Sequence, residues 1–431
     1  MRTGRGSHGW LRAPLIAAML AAATVVALAC GGTSSADKTA TAVAGGGGST
    51  PASGATSAAT SAATTSAGAG GTITIKKGDS IKIGISTTLT TDNAQLGLPI
   101  RDSALLAIKD KATIKGFTVV GDPQDDQCAA QPSVDAANKL IADKVAAVLG
   151  PMCSGGAVAA LDPYSKQNLL VISSSATNPS VTQLGKKDFF RTAWNDATQG
   201  GEMAKYAYTT LGKKNAVLVN DQSVYGKGLM DVFKAAFIKL GGKVVSEEAV
   251  TVGEKDFSPT VTKIKGENPD IVVFGGFIAE GAVLVRQLGE AGVTASFMGA
   301  DGIADQKWID QSGGKAEGAY VSRGPKPTDT TLYDKYVAAY KAAYPGKDAP
   351  QFGEQTYDAM HIILNAIEQV ATVNANGDLV IDKDQLIAAV KAVNYQGASG
   401  QIQFNDVGDR TVVGAVNEID QVKSGKFVRV Q

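Results

Sequence analysis

The sequence predicts an α/β protein of two lobes, each built on a parallel sheet with helices on both faces, with a ligand cleft between them. Three observations carry that prediction. From residue 80 onward, apolar strand-like runs alternate with helical stretches, the pattern of parallel sheets covered by crossover helices. The eight or so runs exceed one small sheet, and the composition breaks near ATQGGEMAKYAY (197–208), where a second unit is expected to start. A chain of 431 residues with 44% hydrophobic content has room for two or three domains and their cores.

The chain begins with Arg2, Arg5 and Arg12 ahead of the apolar run APLIAAMLAAATVVALA (13–29), which ends in small residues before Cys30. A basic start, an apolar run and small residues at a cut point describe an export signal over residues 1–29. The run is also about as long as a short membrane helix, so an uncleaved N-terminal anchor is the alternative. Residues 31–71 are nearly all Gly, Ser, Thr and Ala, with no aromatic residue. Such a stretch buries too little apolar surface to offset its chain entropy, and it reads as a flexible tether, drawn over residues 30–78. Of the three cysteines, Cys30 follows the signal, leaving Cys128 and Cys153 in an exported, oxidising setting. A disulfide between them would stabilise the fold by about 3.5 kcal/mol through loop closure. The competing reading is a free, nucleophilic Cys153.

Strands are expected at IKIGIS (81–86), FTVVGD (117–122), AAVLG (146–150), LLVISS (169–174), NAVLVND (215–221), KVVSEEAV (243–250), DIVVFGG (270–276) and SFMGA (296–300). Helical stretches such as LLAIKDKA, VDAANKLIADK, MDVFKAAFIKLG and GAVLVRQLGEAG lie between most of them. After residue 325, helices over 329–343 and 354–371 are expected to return to the first unit, and the end reads as antiparallel strands with a turn at KSGK. The expected division is 79–196 plus 326–405 for the first lobe, and 197–325 plus 406–431 for the second.

Charge and composition remove several functions. Lys plus Arg equals Asp plus Glu, 41 each, and no basic stripe appears, so nucleic acid gains no support as a partner. His8 and His361 are the only histidines. A His-based metal site or a Ser-His-Asp triad would rest on His361 alone, and DAMHIILNAIEQ places that residue in a helix. No cofactor motif is present; in particular there is no GxxxxGK[ST] for a nucleotide phosphate.

Ligands of open α/β sheets bind beyond the carboxyl ends of strands. One such end is LGPMCSGG (149–156). Cys153 or Ser154 there reads as a nucleophile, the glycines as a phosphate cradle, or the turn as a holder for an anionic group without chemistry. Ser154 is placed to cap the following helix, whose free N–H groups favour an anion. The next strand ends in SSSATNP (173–179), where Ser175 and Thr177 offer hydroxyls around Ala176. The second unit offers Tyr225 in NDQSVYGKG, Phe277 in FGGFIAEG and Asp301 in FMGADG. Singly, these read as core aromatics or a helix cap. Together they describe anion donors on one lobe, and a carboxylate with aromatic surface on the other. A zwitterion with an apolar side chain, an α-amino acid, fits that pattern.

At these residues the chain resembles the substrate-binding proteins of branched-chain amino acid ABC transporters, the leucine/isoleucine/valine-binding proteins of the class I periplasmic binding fold. VTVGEKDFSPTVTKIKGENPDIVVFGGF (250–277), SFMGADGIAD (296–305), NDQSVYGKGL (220–229), LGPMCSGG and ISSSATNPSVT (172–182) carry the resemblance, which spans residues 79–431. It implies two Rossmann-like lobes joined by a hinge. Ser154 and Thr177 match positions that bind the ligand carboxylate, and Ser175, beside Ala176, one whose backbone carbonyl takes the ammonium. Asp301 matches the ammonium-binding acid, which is often Glu, and Tyr225 a cleft tyrosine. Phe277 stands where Tyr is frequent, and Leu96 in AQLGLP where an aromatic is usual. Phe352 is aligned with the same pocket; Met152 and Cys153 contact or back the ligand, and Cys128 matches the disulfide partner of Cys153. ALACGG resembles a lipobox, with Cys30 as the lipid-bearing residue.

The resemblance implies a monomeric, lipid-anchored capture protein outside the cytoplasmic membrane. It would bind an aliphatic amino acid without a cofactor and deliver it to an ABC permease with its ATPase. Rival readings are the same scaffold binding an amide, urea or aromatic acid, a sensory receptor, a Ser or Cys hydrolase, and a structural surface protein.

Overall fold

The computed structural model describes residues 70–411 and 416–431. The export signal (1–29), Cys30 and the tether as far as residue 69 lie outside the described residues. Among the described residues, a strand already lies before residue 79, within the expected tether. Thr72–Ile75 form strand β1, antiparallel to a strand three hundred residues further on. TITI alternates, so Ile73 and Ile75 fall on one face and pack on the first lobe.

The first lobe then alternates strand and helix apart from the short β3–β4 hairpin: β2 (Ile81–Thr87), α1 (Ala94–Asp110), β3 (Thr113–Ile114), β4 (Phe117–Asp125), α2 (Ala130–Ala142), β5 (Ala147–Leu149), α3 (Ser154–Lys166), β6 (Val171–Ser173), α4 (Pro179–Gln183) and β7 (Phe189–Arg191). The sheet order is β3-β4-β2-β5-β6-β7, parallel except for the β3 edge. Period-2 patterning sets its two faces. Ile81, Ile83, Ile85 and Leu149 turn to the α1 side, whereas Val148 and Val171 turn to α2 and α3. α1 starts about ten residues before the expected stretch. Gly97 and Pro99 interrupt its apolar pattern, yet Gly97 is required, because a Cβ there would lie 1.9 Å from the Thr88 carbonyl oxygen.

The second lobe repeats the scheme: α5 (Asp196–Lys205), a single π turn (Tyr206–Thr210), β8 (Asn215–Asn220), α6 (Val224–Lys239), β9 (Lys243–Ala249), α7 (Ser258–Glu267), β10 (Ile271–Gly275), α8 (Ile278–Glu290), β11 (Ser296–Gly299), α9 (Gln306–Gln311) and β12 (Tyr320–Arg323). The chain returns to the first lobe with α10 (Thr331–Ala343) and α11 (Gly353–Val370). There follow β13 (Thr372–Val373), β14 (Leu379–Asp382), α12 (Lys383–Lys391), β15 (Tyr395–Gly397) and β16 (Gly400–Ile402). α11 supplies Met360, Ile363 and Ile367 to the same core as β2. It also holds His361, packed edge-on against Tyr357 and 3.8 Å from Asp110.

β17 (Glu418–Lys423) and β18 (Lys426–Arg429) extend the second sheet, whose order is β18-β17-β12-β11-β10-β8-β9. They are antiparallel, and Ser424 and Gly425 at φ 52° and 71° form the expected KSGK turn. Residues up to Arg410 remain bonded to the first lobe rather than passing to the second at 406. The Gly408 carbonyl accepts from the Arg191 N–H, and Asn417 is the residue that reaches Glu202 of the second lobe.

Within both sheets the parallel strands run 2-1-3-4-5 in chain order, counted from β2 and from β8. The order reverses beside the first strand, and loops on either side of that reversal diverge to leave a crevice at the carboxyl ends. The loops after β5 and β6 of one lobe meet those after β8, β10 and β11 of the other.

Cys128 and Cys153 form a disulfide that closes a 25-residue separation and ties the loop after β4 to the turn after β5. Replacing both by Ser is expected to lower unfolding free energy by about 3.5 kcal/mol, read from denaturant melts under oxidising conditions. An unchanged midpoint would show that the bridge contributes nothing.

Candidate functional site

The turn after β5 is built around Asp126. Its carboxylate is fully buried and accepts from the Thr88 hydroxyl (2.7 Å), the Cys128 N–H (3.0 Å) and the Met152 N–H (3.1 Å). Burial pushes this carboxyl above its ordinary range and the three donors pull it back. Ser154 is the first residue of α3, not its cap; Cys153 holds the capping position without a side-chain bond. The Ser154 hydroxyl instead accepts from the Asn178 N–H at 3.2 Å, joining the turn to the next loop. The two glycines also do something other than admit a ligand. A Cβ on Gly156 would sit 2.2 Å from the Ser133 hydroxyl, so this residue lets α2 and α3 pack, while Gly155 faces Val224 of the other lobe.

The loop Ser175–Asn178 is held from behind by Arg191 on β7, which is fully buried. Its guanidinium donates to the carbonyls of Ala176 and Asn178, both at 2.9 Å, and to the Asp409 carboxylate at 2.5 Å. In front, the Ser175 hydroxyl donates to the Met152 carbonyl at 2.9 Å. Both loops are therefore one hydrogen-bonded unit whose remaining polar groups face the crevice.

From the second lobe, the Tyr225 hydroxyl donates to Asp301 at 3.0 Å and accepts from the Gly302 N–H at 3.0 Å. Asp301 is buried, and that burial raises its carboxyl to about 6, with Tyr225 and Gln199 partly offsetting it. The same desolvation, with Asp301 alongside, pushes the Tyr225 phenol up. Phe277 packs obliquely on the Tyr225 ring, 5.3 Å between centroids. Phe352 stacks on Trp194 at 4.8 Å and adopts φ 61°, a left-handed conformation uncommon for a bulky residue.

In this structure the lobes touch across the crevice. The Asn178 amide donates to the Val224 carbonyl at 2.7 Å, and the Gln351 amide donates to the Asp301 carbonyl at 2.8 Å. A cavity lies between them, with about 350 Å³ free of protein atoms when the adjoining open solvent is included. Leu96, Met152, Cys153, Ser154, Ser175, Tyr225, Phe277, Asp301 and Phe352 all line it. Ala176 and Thr177 do not; both are fully buried behind it, Ala176 turned to Arg191 and Thr177 accepting through its carbonyl from the Asp196 N–H at 3.0 Å. Ile100 and Gly302 also line the cavity and were not singled out from the sequence. Ile100 is one turn beyond Leu96 on α1, a relation hidden until that helix is extended. Asp196, Gln199, Trp194 and Arg191 were missed as well. Their one signal was an arginine, a tryptophan and an acid bunched in FFRTAWND, next to an apolar run. Among the described residues, no histidine lines the cavity.

Residues 80–417 match the model of a family described as periplasmic binding protein. The chain is 33% identical over 335 residues to the leucine-specific-binding protein of Salmonella typhimurium, covering 77% of this chain and 88% of the relative. It is 32% identical over 336 residues to Leu/Ile/Val-binding protein homolog 3 of Brucella melitensis, covering 76% and 88%. Among solved structures, a leucine-binding protein from Thermotoga maritima superposes with a TM-score of 0.73 at 28% identity, covering 81% of this chain and 98% of that one. A branched-chain amino acid transporter substrate-binding protein from Streptococcus pneumoniae, in complex with isoleucine, superposes with a TM-score of 0.71 at 25% identity, covering 81% and 100%.

Arg191→Met would leave the Asp409 carboxylate without its partner and two carbonyls without donors. Breaking such a buried pair is expected to cost about 3–5 kcal/mol of stability in urea denaturation. A variant as stable as the wild type would remove Arg191 from the role given to it.

Proposed function

The chain belongs to the periplasmic binding protein family, and from that premise we propose that it is an extracytoplasmic solute-binding protein of an ABC importer, capturing an α-amino acid with a branched or related aliphatic side chain. One observation carries the reading. The cavity sets hydroxyls and a helix N-terminus on one wall, and on the opposite wall a single lining carboxylate, Asp301, held by Tyr225. Between them lie Leu96, Ile100, Phe277 and Phe352. A ligand carboxylate suits the first wall and an ammonium the second, while an aliphatic side chain suits the surface between. The names of the relatives, which bind leucine, isoleucine and valine, agree with that chemistry.

The ligand carboxylate docks first, against Ser154 and the Ser175–Thr177 loop, because that wall is braced from behind. Thr177 supports this wall from behind, its carbonyl bonded to the Asp196 N–H. Hinge closure then brings Asp301, Tyr225 and Phe277 over the ammonium and the side chain. Such closure expels water, which strengthens each charge-assisted bond. A plain carboxylic acid would leave Asp301 buried with no counter-charge, which favours an amino acid over an aromatic acid or amide. No step makes or breaks a covalent bond. The closed form presents both lobes, 72–195 with 326–410 and 196–325 with the C-terminal strands, to a permease driven by its ATPase. The protein acts as a monomer tethered through a lipid on Cys30.

Wild-type protein is expected to bind L-leucine, L-isoleucine or L-valine in calorimetry and to reject the corresponding amides and decarboxylated amines. Asp301→Asn should weaken that binding by about 100-fold or more, the effect of ~3 kcal/mol from a buried charge pair losing one partner. Equal affinity in the variant would remove Asp301 from the ammonium pole, and binding of an amide but of no amino acid would overturn the substrate class.

A further inference from the structure

The cavity wall that carries Asp301 has a second acid behind it. Asp196 is the first residue of α5, where the chain enters the second lobe, and its side chain is fully buried. Neither of its carboxylate oxygens accepts a hydrogen bond of normal geometry. It lies close enough to Asp301 for the two negative charges to oppose one another. The ionisable groups acting on this pair, among the described residues, come from three elements. Tyr225 of α6 bonds Asp301 and is neutral, its phenol pushed up by burial and by both acids. Arg191 of β7 is the one cation, and its guanidinium is committed to Asp409, Ala176, Asn178 and the Thr182 hydroxyl. Asp409, on the segment after β16, is neutralised in that ion pair. The remaining neighbours, Thr177, Gln199 and Gln351, carry no charge.

Two carboxylates in a dry site without a free cation cannot both ionise. A buried acid whose only donor is the Thr177 hydroxyl, with no mobile counter-ion, is poorly compensated when it is charged. An arriving ammonium supplies the missing positive charge. We propose that Asp196 is a second acid of the ammonium pole: it shares one proton with Asp301 in the empty cleft and releases that proton to solvent when the ligand's ammonium binds. Asp301 makes the contact; Asp196 is a positioning residue that sets the charge Asp301 presents. The inference rests on the amino-acid reading above and extends it, making capture proton-linked.

The sign follows from the charges. An ammonium binds the ionised pair, so affinity is full above the pair's titration and falls as pH drops through it. Burial raises Asp301 to about 6 and Asp196 also upward, so the window lies above the ordinary carboxylate range, near and above pH 6. The experiment is titration calorimetry of the full chain with L-leucine in two buffers of different ionisation enthalpy, from pH 5 to 8. Wild type is expected to release about half a proton or more per leucine near pH 6–7, and to lose up to tenfold in affinity per pH unit below the window. Asp196→Asn should release no proton there and hold a flatter affinity profile, whereas Asp196→Glu should restore the slope. Leucine binding without buffer-dependent heat overturns the inference and leaves the amino-acid reading standing. Failure of wild type to bind any zwitterionic amino acid overturns both. Should Asp196→Asn fail to fold, carbon-13 NMR of aspartate carboxyls in ligand-free wild type decides. A carboxyl pair titrating in two separated steps supports the shared proton, and uniform ordinary titration of all carboxyls rules it out.

Discussion

A single guanidinium carries the arrangement on which the site depends. Arg191 ends a buried strand and satisfies the outward carbonyls of Ala176 and Asn178, the Thr182 hydroxyl and the Asp409 carboxylate at once. The loop it grips has little apolar content of its own and would otherwise be free to sample many conformations. With its back secured, that loop turns its remaining polar groups into the crevice at no further entropic cost. The same guanidinium ties down the segment after β16, so the returning chain and the anion wall share one anchor. A planar fork that donates in several fixed directions suits this duty, and an ammonium would not.

The two lobes share one strand order, yet the residues at their crevices differ in sign. On the first lobe the loops offer donors, braced by Asp126, the Cys128–Cys153 bridge and Arg191. On the second they offer an acid whose hydrogen bonds come from Tyr225 and Gln199. A zwitterion can satisfy both walls only when they close on it, which couples recognition to movement. Rigidity is concentrated on the wall that would meet the ligand first. Phe352, between α10 and α11, holds a left-handed backbone and stacks on Trp194, which lies just before the chain enters the second lobe at α5.

Much of this was legible from the sequence. All eight expected strands are present, because most are runs of apolar or β-branched residues ended by Gly, Asp or Ser. The strands that escaped notice, β1, β3, β7 and β12 to β16, are short and mixed in character, and they exist through their partners. β1 shows this well: TITI looks like the end of a tether, yet β14 offers it an edge and a core. The start of α1 was hidden by Gly97 and Pro99, residues that break helices in general and here let the helix approach Thr88. Nine of the singled-out residues do line one cavity; those at strand ends are visible from pattern, whereas Leu96, Met152 and Phe352 came only from the family resemblance.

The sequence by itself determined the alternation of strand and helix, the disulfide cysteines and the chemical types gathered at strand ends. These are local properties: periodicity, turn chemistry and residue type are written in neighbouring positions. Only the tertiary structure decided that Ser154 bonds Asn178 rather than its own helix, that Gly156 serves packing, and that Arg191 stands behind the anion wall. It alone brought Asp196 beside Asp301, although 105 positions separate them in the chain. Burial and charge proximity belong to three-dimensional neighbours, and no pattern in the sequence records which distant residues will share a dry pocket.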